Sequence, residues 1–422
     1  MYCQMIRGVY LRCNGEMACY CGPGEAINLG NLQPNGQNYC FIKNYYFNSK
    51  HKYIRDSIAN HILPFPSSCL KCVYLKPNLQ SGIEKLNNEI EWMHIETTSQ
   101  CNLDCKFCIP QAERRSFREP PYYLPIELFK KIVDDIHVND FRVEKMYFSG
   151  RGEPCLHPHI WDMVEYAKKV LNTNFLVNTN GNIKFSEQIV NSGLDKIKIA
   201  IDGIQQEAYE KYRINGKLSK ILELTKKISD YRSKTGKNNP KIIWQYILFS
   251  HNDSIEDLIE VQKKAIELGV DEILIKTTYT MDIYSTLDIK TIPRIHPNVN
   301  FLDIKEMFTT NLEDINQIYE KLLELKKENR IKDTIVKAID ISHNIIMGFL
   351  LGLSSKKDYN LLGYDDTSLI NLIKEGKSSK DNNLKSKIEL LLSCFTILSQ
   401  TYHQVSQQKA ANYYDLIIDK SS

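Results

Sequence analysis

Between Glu91 and Thr278 the chain alternates short apolar runs with longer stretches whose apolar residues recur every three or four positions. The short runs predict strands: EWMHIETT (91–98), KMYFSG (145–150), NFLVNTNG (174–181), KIKIAIDG (196–203), KIIWQYIL (241–248) and EILIKTT (272–278). The longer stretches, among them PIELFKKIVDDIH, HIWDMVEYAKKVL, SEQIVNSGL, LSKILELTKKISDYRS and SIEDLIEVQKKAIELG, predict helices between them. Strand and helix in alternation predict a parallel sheet, because parallel neighbours need a crossover and the crossover is usually a helix. Six such units predict an α/β fold, a partial (β/α)6 TIM-like barrel over residues 86–288, with ligands at the carboxyl ends of the strands.

The pattern changes on both sides of this region. Residues 1–85 are rich in Gly, Pro, Asn, Tyr and Cys, carry turn signals such as GPGE and PNGQN, and show little sustained periodicity. With few aliphatic side chains to pack, this Cys-rich N-terminal domain is expected to use a metal centre as its core. Residues 289–422 lose the strand signal and read as a helical C-terminal region, as in INQIYEKLLELKKENR and KSKIELLLSCFTILSQTYHQVS.

Charge adds little: 54 Lys and Arg against 51 Asp and Glu give a net charge of +3, which points to neither nucleic acid nor an anionic membrane. No apolar run approaches the roughly 18 residues of a membrane span, and the first eleven residues lack the features of a secretion signal. A soluble, cytoplasmic protein is the expectation. The cysteines change the picture, since ten of the 12 fall in the first 108 residues. In a reducing compartment, clustered thiols are more often metal ligands or reactive groups than disulfide partners.

Cys101, Cys105 and Cys108 lie as Cys-x3-Cys-x2-Cys directly after the first predicted strand, on a loop at its carboxyl end. A structural zinc site normally closes with four protein ligands, whereas three thiolates on a 4Fe-4S cluster leave one iron open. A zinc knuckle is the other reading of this set. The segment CNLDCKFC, with Phe107 before the third cysteine, resembles the cluster motif of the radical S-adenosylmethionine (SAM) superfamily, and the resemblance runs over roughly residues 90–285. It implies a 4Fe-4S cluster whose open iron chelates SAM, reductive cleavage of SAM to a 5'-deoxyadenosyl radical, and hydrogen abstraction from a substrate.

Other segments carry the same resemblance. FSGRGEPCLHP is similar to the family's Gly-Gly-Glu-Pro segment, with Arg151 in place of the first paired glycine, and implies that Gly152 and Glu153 meet the methionyl ammonium of SAM. In VNTNG, Asn178 and Asn180 are implied contacts to the ribose or the substrate cavity; ordinary turn chemistry before Gly181 is the alternative. IAIDGIQQEAYEKYR resembles the fourth-strand segment and implies cofactor contacts from Asp202 and Arg213, the latter near the SAM carboxylate or else in a surface ion pair. Ala200 stands where relatives commonly carry a ribose-binding serine. Gln245 faces either the cavity or ordinary strand surroundings, and His94, Cys155 and Cys394 read as packed.

The N-terminal cysteines, in RCNGEMACYCGPGEAINLGNLQPNGQNYC and YIRDSIANHILPFPSSCLKC, resemble the auxiliary-cluster extension called SPASM or its shorter Twitch form. In most relatives that extension follows the core; here it precedes it. Cys13, Cys19, Cys21, Cys69 and Cys72 are the implied ligands of an auxiliary 4Fe-4S cluster, with Cys3 and Cys40 as further candidates. A structural zinc site made from two early cysteines plus Cys69 and Cys72 is the other reading. The family implies an electron donor such as a reductase, flavodoxin or ferredoxin. The expected function is a radical SAM enzyme that oxidises, dehydrates or epimerises a small, carbohydrate-like molecule. A peptide-modifying maturase and a non-catalytic zinc or iron-sulfur scaffold are the alternatives.

Overall fold

The structure, a computed structural model, describes residues 2–19, 27–32, 40–43, 47–72, 74–76, 88–106, 108, 123–278, 285–303, 312–353 and 366–421. Cys21 and Phe107 lie outside the described residues. The chain divides into two compact units, one made of Met1–Ile6, Ser49–Leu86 and Lys305–Ser422, the other of Arg7–Asn48 and Asn87–Ile304. This division departs from the boundaries expected at residues 85 and 288, because the Cys-rich segment is shared between the two units.

The strands, in chain order, are β1 (Tyr2–Cys3), β2 (Gly8–Leu11), β3 (Glu16–Ala18), β4 (Asn28–Asn31), β5 (Leu75–Lys76), β6 (Glu89–Ile95), β7 (Arg142–Phe148), β8 (Asn174–Thr179), β9 (Lys196–Ala200), β10 (Lys241–Ile247), β11 (Glu272–Lys276) and β12 (Val299–Leu302). In the second unit a ten-stranded sheet runs in the order β12-β11-β10-β9-β8-β7-β6-β2-β3-β4, open at both ends. The six expected strands are β6 to β11, each parallel to the next. Two further strands extend the parallel array, β2 beside β6 and β12 beside β11, and β3 and β4 continue it antiparallel.

Side chains alternate between the two faces of the sheet, and the two faces differ in chemistry. Met93 and Ile95 of β6, Phe148 of β7, Phe175 and Val177 of β8, Ile197 and Ile199 of β9, and Trp244 and Tyr246 of β10 are buried. Helices cover this side. Phe129 of helix Ile126–Val138 packs edge-on against Phe148 with ring centroids 5.6 Å apart, and Phe148 against Phe175 at 4.7 Å. Trp244 Nε1 donates to Thr225 Oγ1 of helix Leu218–Thr235 at 3.1 Å. Intervening positions, including His94, Asn178, Lys198, Gln245 and Lys276, face the other way and are polar. A strand face of this polarity is not a packed core.

The first unit holds the short pair β1–β5, helix Ser49–Ala59, and the helices Leu312–Lys327, Ile331–Leu353, Asp366–Ser378, Asn382–Gln404 and Gln408–Ser421. Hydrogen bonds across long sequence separations join its two parts: Tyr402 Oη to His61 O at 2.8 Å, Lys71 Nζ to Ser368 Oγ at 3.0 Å and Ser67 Oγ to Asp366 Oδ1 at 2.5 Å. Cys394 is fully buried here, as its apolar helical surroundings suggest. Among the described residues no helix is long and apolar enough to cross a membrane.

Candidate functional site

At the carboxyl ends of the parallel strands a cavity of about 480 Å³ opens, and Cys101, Cys105 and Cys108 all line it. The cysteine loop is pinned from several sides. Glu153 N donates to Gln100 O at 2.7 Å, Asn180 Nδ2 to Asn102 Oδ1 at 2.8 Å and Asn102 Nδ2 to Asn182 O at 2.7 Å. Asp104 N and Lys106 N donate to Ile214 O and Tyr212 O at 3.1 and 3.0 Å. The loop thus takes its shape from the ends of β7 and β8 and from the segment that follows β9.

Gly152 allows the closest of these approaches. A Cβ there would stand 2.1 Å from Thr98 O and 2.7 Å from Gln100 O, both backbone atoms that cannot turn aside. Gly150 has φ of 142° and faces Glu96, whose Cγ would lie 2.7 Å from a Cβ. Arg151 between them is buried and lines the same cavity.

Glu153 lines the cavity while its carboxylate accepts from Thr179 Oγ1 and Asn180 N, each at 2.7 Å, and from Cys155 N at 3.1 Å. Burial pushes its carboxyl above the usual range, and these donors oppose the shift. Asn180 also places Nδ2 3.8 Å from Cys101 Sγ. It thus touches the cysteine loop as well as capping its own turn, where Asn182 N donates to its Oδ1 at 2.8 Å.

Asp202 and Arg213 form a buried ion pair, not a surface one: their side chains are 0% and 13% exposed. Arg213 Nε and Nη2 each lie 2.6 Å from Asp202 Oδ2, and Ile247 N donates to Asp202 Oδ1 at 2.8 Å. From this anchor Arg213 Nη1 reaches Cys105 Sγ at 3.5 Å. Burial pushes the Cys105 thiol up, and the guanidinium beside it pulls the other way. A fixed cation therefore faces the thiols.

Asn178, Ala200 and Gln245 line the same cavity. So do three residues the sequence did not single out for function: His94, Lys198 and Lys276. His94 Nε2 meets the Ser149 hydroxyl, and burial, with Lys198 adding to it, pushes the imidazole down to about 4. The signal for Lys198 was present in KIKIA, where it alternates with two core isoleucines and so must face away from the helices.

The N-terminal cysteines fall in different places. Cys13 is buried in the sheet unit with Sγ 3.9 Å from Glu96 Oε1; Cys19 N donates to Ile27 O at 2.9 Å; Cys40 Sγ lies 3.7 Å from Asp135 Oδ2. Cys69 and Cys72 belong to the helical unit, as does Cys3. Burial, then repulsion from Cys72, pushes the Cys3 thiol up to about 12. Among the described residues no three Cys, His, Asp or Glu side chains gather at the spacing of ligands to one metal ion. A 4Fe-4S cluster spreads its thiolates over separate irons, and the three-thiol loop supplies the donor type such a cluster takes.

Residues 95–265 match the Radical SAM superfamily. Over 191 residues the chain is 30% identical to the tungsten-containing aldehyde ferredoxin oxidoreductase cofactor-modifying protein of Pyrococcus furiosus, covering 44% of this chain and 51% of that one. Over 185 residues it is 23% identical to the GTP 3',8-cyclase of Syntrophomonas wolfei, covering 43% and 54%. The chain spans about half the length of these curated relatives. Among solved structures it is similar to Streptococcus suis SuiB bound to the precursor peptide SuiA, with a TM-score of 0.38 and 16% identity over 65% of this chain and 56% of that one. Proteins of the superfamily bind a 4Fe-4S cluster and SAM. Residues 95–265 of this chain are a domain of the Radical SAM superfamily.

Proposed function

We propose that this chain is an enzyme that cleaves SAM reductively and abstracts hydrogen from a small molecule. The observation that carries the reading is the convergence of Cys101, Cys105 and Cys108 with Glu153, Asn180 and Arg213 on one cavity at the strand ends. Cys101, Cys105 and Cys108 would hold the cluster. When bound, the cluster and SAM supply a 5'-deoxyadenosyl radical, chemistry that no side chain provides.

The chain's own residues bind and orient. Arg213, held by Asp202, presents fixed positive charge to the thiols and to a carboxylate seated beside them. Backbone groups of the Gly150–Gly152 turn and the Glu153 carboxylate form the wall suited to an ammonium. Asn178 and Gln245 offer amide groups to hydroxyls, which supports a hydroxylated, carbohydrate-like substrate. The apolar helix-covered face behind the strands keeps these groups rigid, so that a substrate C–H bond is held in one place. An external reductase, flavodoxin or ferredoxin would deliver the electron. Cys69 and Cys72, with Cys3 in the same unit, are our candidate ligands of an auxiliary cluster.

Anaerobic reconstitution of the full chain with iron and sulfide, followed by reduction in the presence of SAM, tests the reading. The parent is expected to form 5'-deoxyadenosine. A Cys101→Ala, Cys105→Ala, Cys108→Ala variant should form none and still retain iron on the other cysteines. A fully loaded parent that leaves SAM intact across candidate substrates would favour a non-catalytic scaffold, and a variant devoid of iron would remove the auxiliary cluster.

A further inference from the structure

The inner face of the sheet carries more cations than the cofactor site uses. Lys198 on β9 and Lys276 on β11 both line the cavity, and among the described residues neither ammonium makes a hydrogen bond or ion pair within the chain. Gln245 on β10, the strand between them, lines it too; it pairs in register with Ala200 and Leu274. Asn178 on β8 pairs with Lys198, and its Oδ1 is buried without a hydrogen-bond partner. Of the nearby carboxylates, Asp202 is taken by Arg213, Glu153 by three donors on the far side, toward β7 and β8, and Glu272, whose charge acts on Lys198 without an ion pair, accepts from Asn300 Nδ2 at 3.0 Å.

We infer that this cavity binds a small substrate bearing an oxyanion, a carboxylate or a phosphate, held between Lys198 and Lys276, with a hydroxyl or amine donating to Asn178. The inference rests on the proposed function for the identity of the reaction, but not for the anion site itself. Two ammonium groups without a hydrogen-bonded counter-ion in a half-enclosed cavity repel each other and lose hydration, costs that the more distant Glu272 and Asp202 offset only in part and that an incoming anion removes. Burial indeed holds both lysines below their ordinary range. A flexible ammonium suits a single oxyanion, whereas the rigid fork of Arg213 is already committed at the cysteine loop. The cavity of about 480 Å³ must also admit SAM, which leaves room for a compact substrate group and not for a long peptide segment.

The test uses the anaerobically reconstituted full chain saturated with SAM, titrated calorimetrically with inorganic phosphate and separately with succinate, at constant ionic strength set by chloride. One of the two anions should bind at a single site. Lys198→Gln and Lys276→Gln should each weaken it by about tenfold or more, and Lys198→Arg and Lys276→Arg should restore much of the loss. Phosphate alone binding identifies a phosphate ester; succinate alone identifies an organic acid. Absence of saturable binding, or equal binding by parent and Gln variants, overturns the inference. A fall in SAM affinity in the Gln variants with no change in anion affinity assigns the lysines to the cofactor and overturns it too. If the parent forms no 5'-deoxyadenosine but the anion still binds through the lysines, the proposed reaction fails and the anion site stands.

Discussion

Replacing Asp202 by asparagine removes a negative charge from a position that no water reaches. The amide can still accept from Ile247 N, which lies 2.8 Å from Oδ1, but Arg213 loses the anion that meets Nε and Nη2 at 2.6 Å. Breaking a buried ion pair from one side costs about 3–5 kcal/mol. Arg213 retains Cys105 Sγ and the face of the Tyr212 ring 4.8 Å away, so the lower end, about 3 kcal/mol, is expected. The comparison is Asp230→Asn, which breaks the Lys226–Asp230 pair at 3.1 Å with side chains 63% and 62% exposed. That loss should stay within about 1 kcal/mol. All three tryptophans, Trp92, Trp161 and Trp244, lie in the sheet unit, so tryptophan fluorescence during urea unfolding follows that unit alone. With a slope of about 1–3 kcal/mol per molar urea, Asp202→Asn should lower the midpoint by roughly 1–3 M. A midpoint that moves no further than that of Asp230→Asn would refute the claim that burial makes this pair matter.

Gly152→Ala places a methyl group against Thr98 O and Gln100 O; it should displace the cysteine loop and abolish 5'-deoxyadenosine formation while far-ultraviolet circular dichroism stays that of the parent. Retained activity would mean the loop tolerates the shift. His94, pushed down to about 4, is protonated more readily in the unfolded chain, where its value is near 6.5. Its contribution is therefore complete above about pH 6.5 and declines as pH falls toward 4, by at most about 3 kcal/mol and less because the ring borders the open cavity. Urea midpoints at pH 7.5 and 5 should fall further apart for the parent than for His94→Gln; equal differences would count against the buried neutral imidazole.

The six central strands were legible because each runs five to seven residues, long enough for alternation to show. β2, β3, β4 and β12 have three or four, and at that length alternation cannot be told from a loop. β2 gives no alternation at all, since Gly8 to Leu11 are all buried. The cysteine loop and the Gly152–Glu153 turn were readable from local spacing. Lys276 was not, because its significance comes from a cavity assembled by strands more than 170 positions apart. Nor does any local pattern announce that residues 49–72 join the C-terminal helices, a union fixed by contacts such as Tyr402 to His61, 341 positions apart.

The N-terminal segment also shows why poor periodicity did not mean a missing core. Val9, Tyr10 and Leu11 are almost completely buried because β2 lies against β6, and Gly8 lies so close to Trp92 that a Cβ there would stand 2.1 Å from its ring. Glu96, the first residue after β6, joins the pieces: its N–H donates to Leu11 O at 2.8 Å, and its carboxylate accepts from Tyr10 Oη at 2.8 Å with Cys13 Sγ at 3.9 Å. The same side chain packs under Gly150 of the turn that supports the cysteine loop. This part of the Cys-rich region shares a core with the sheet. In return it braces the strand end from which the three thiols emerge, which couples the N-terminal segment to the geometry of the site.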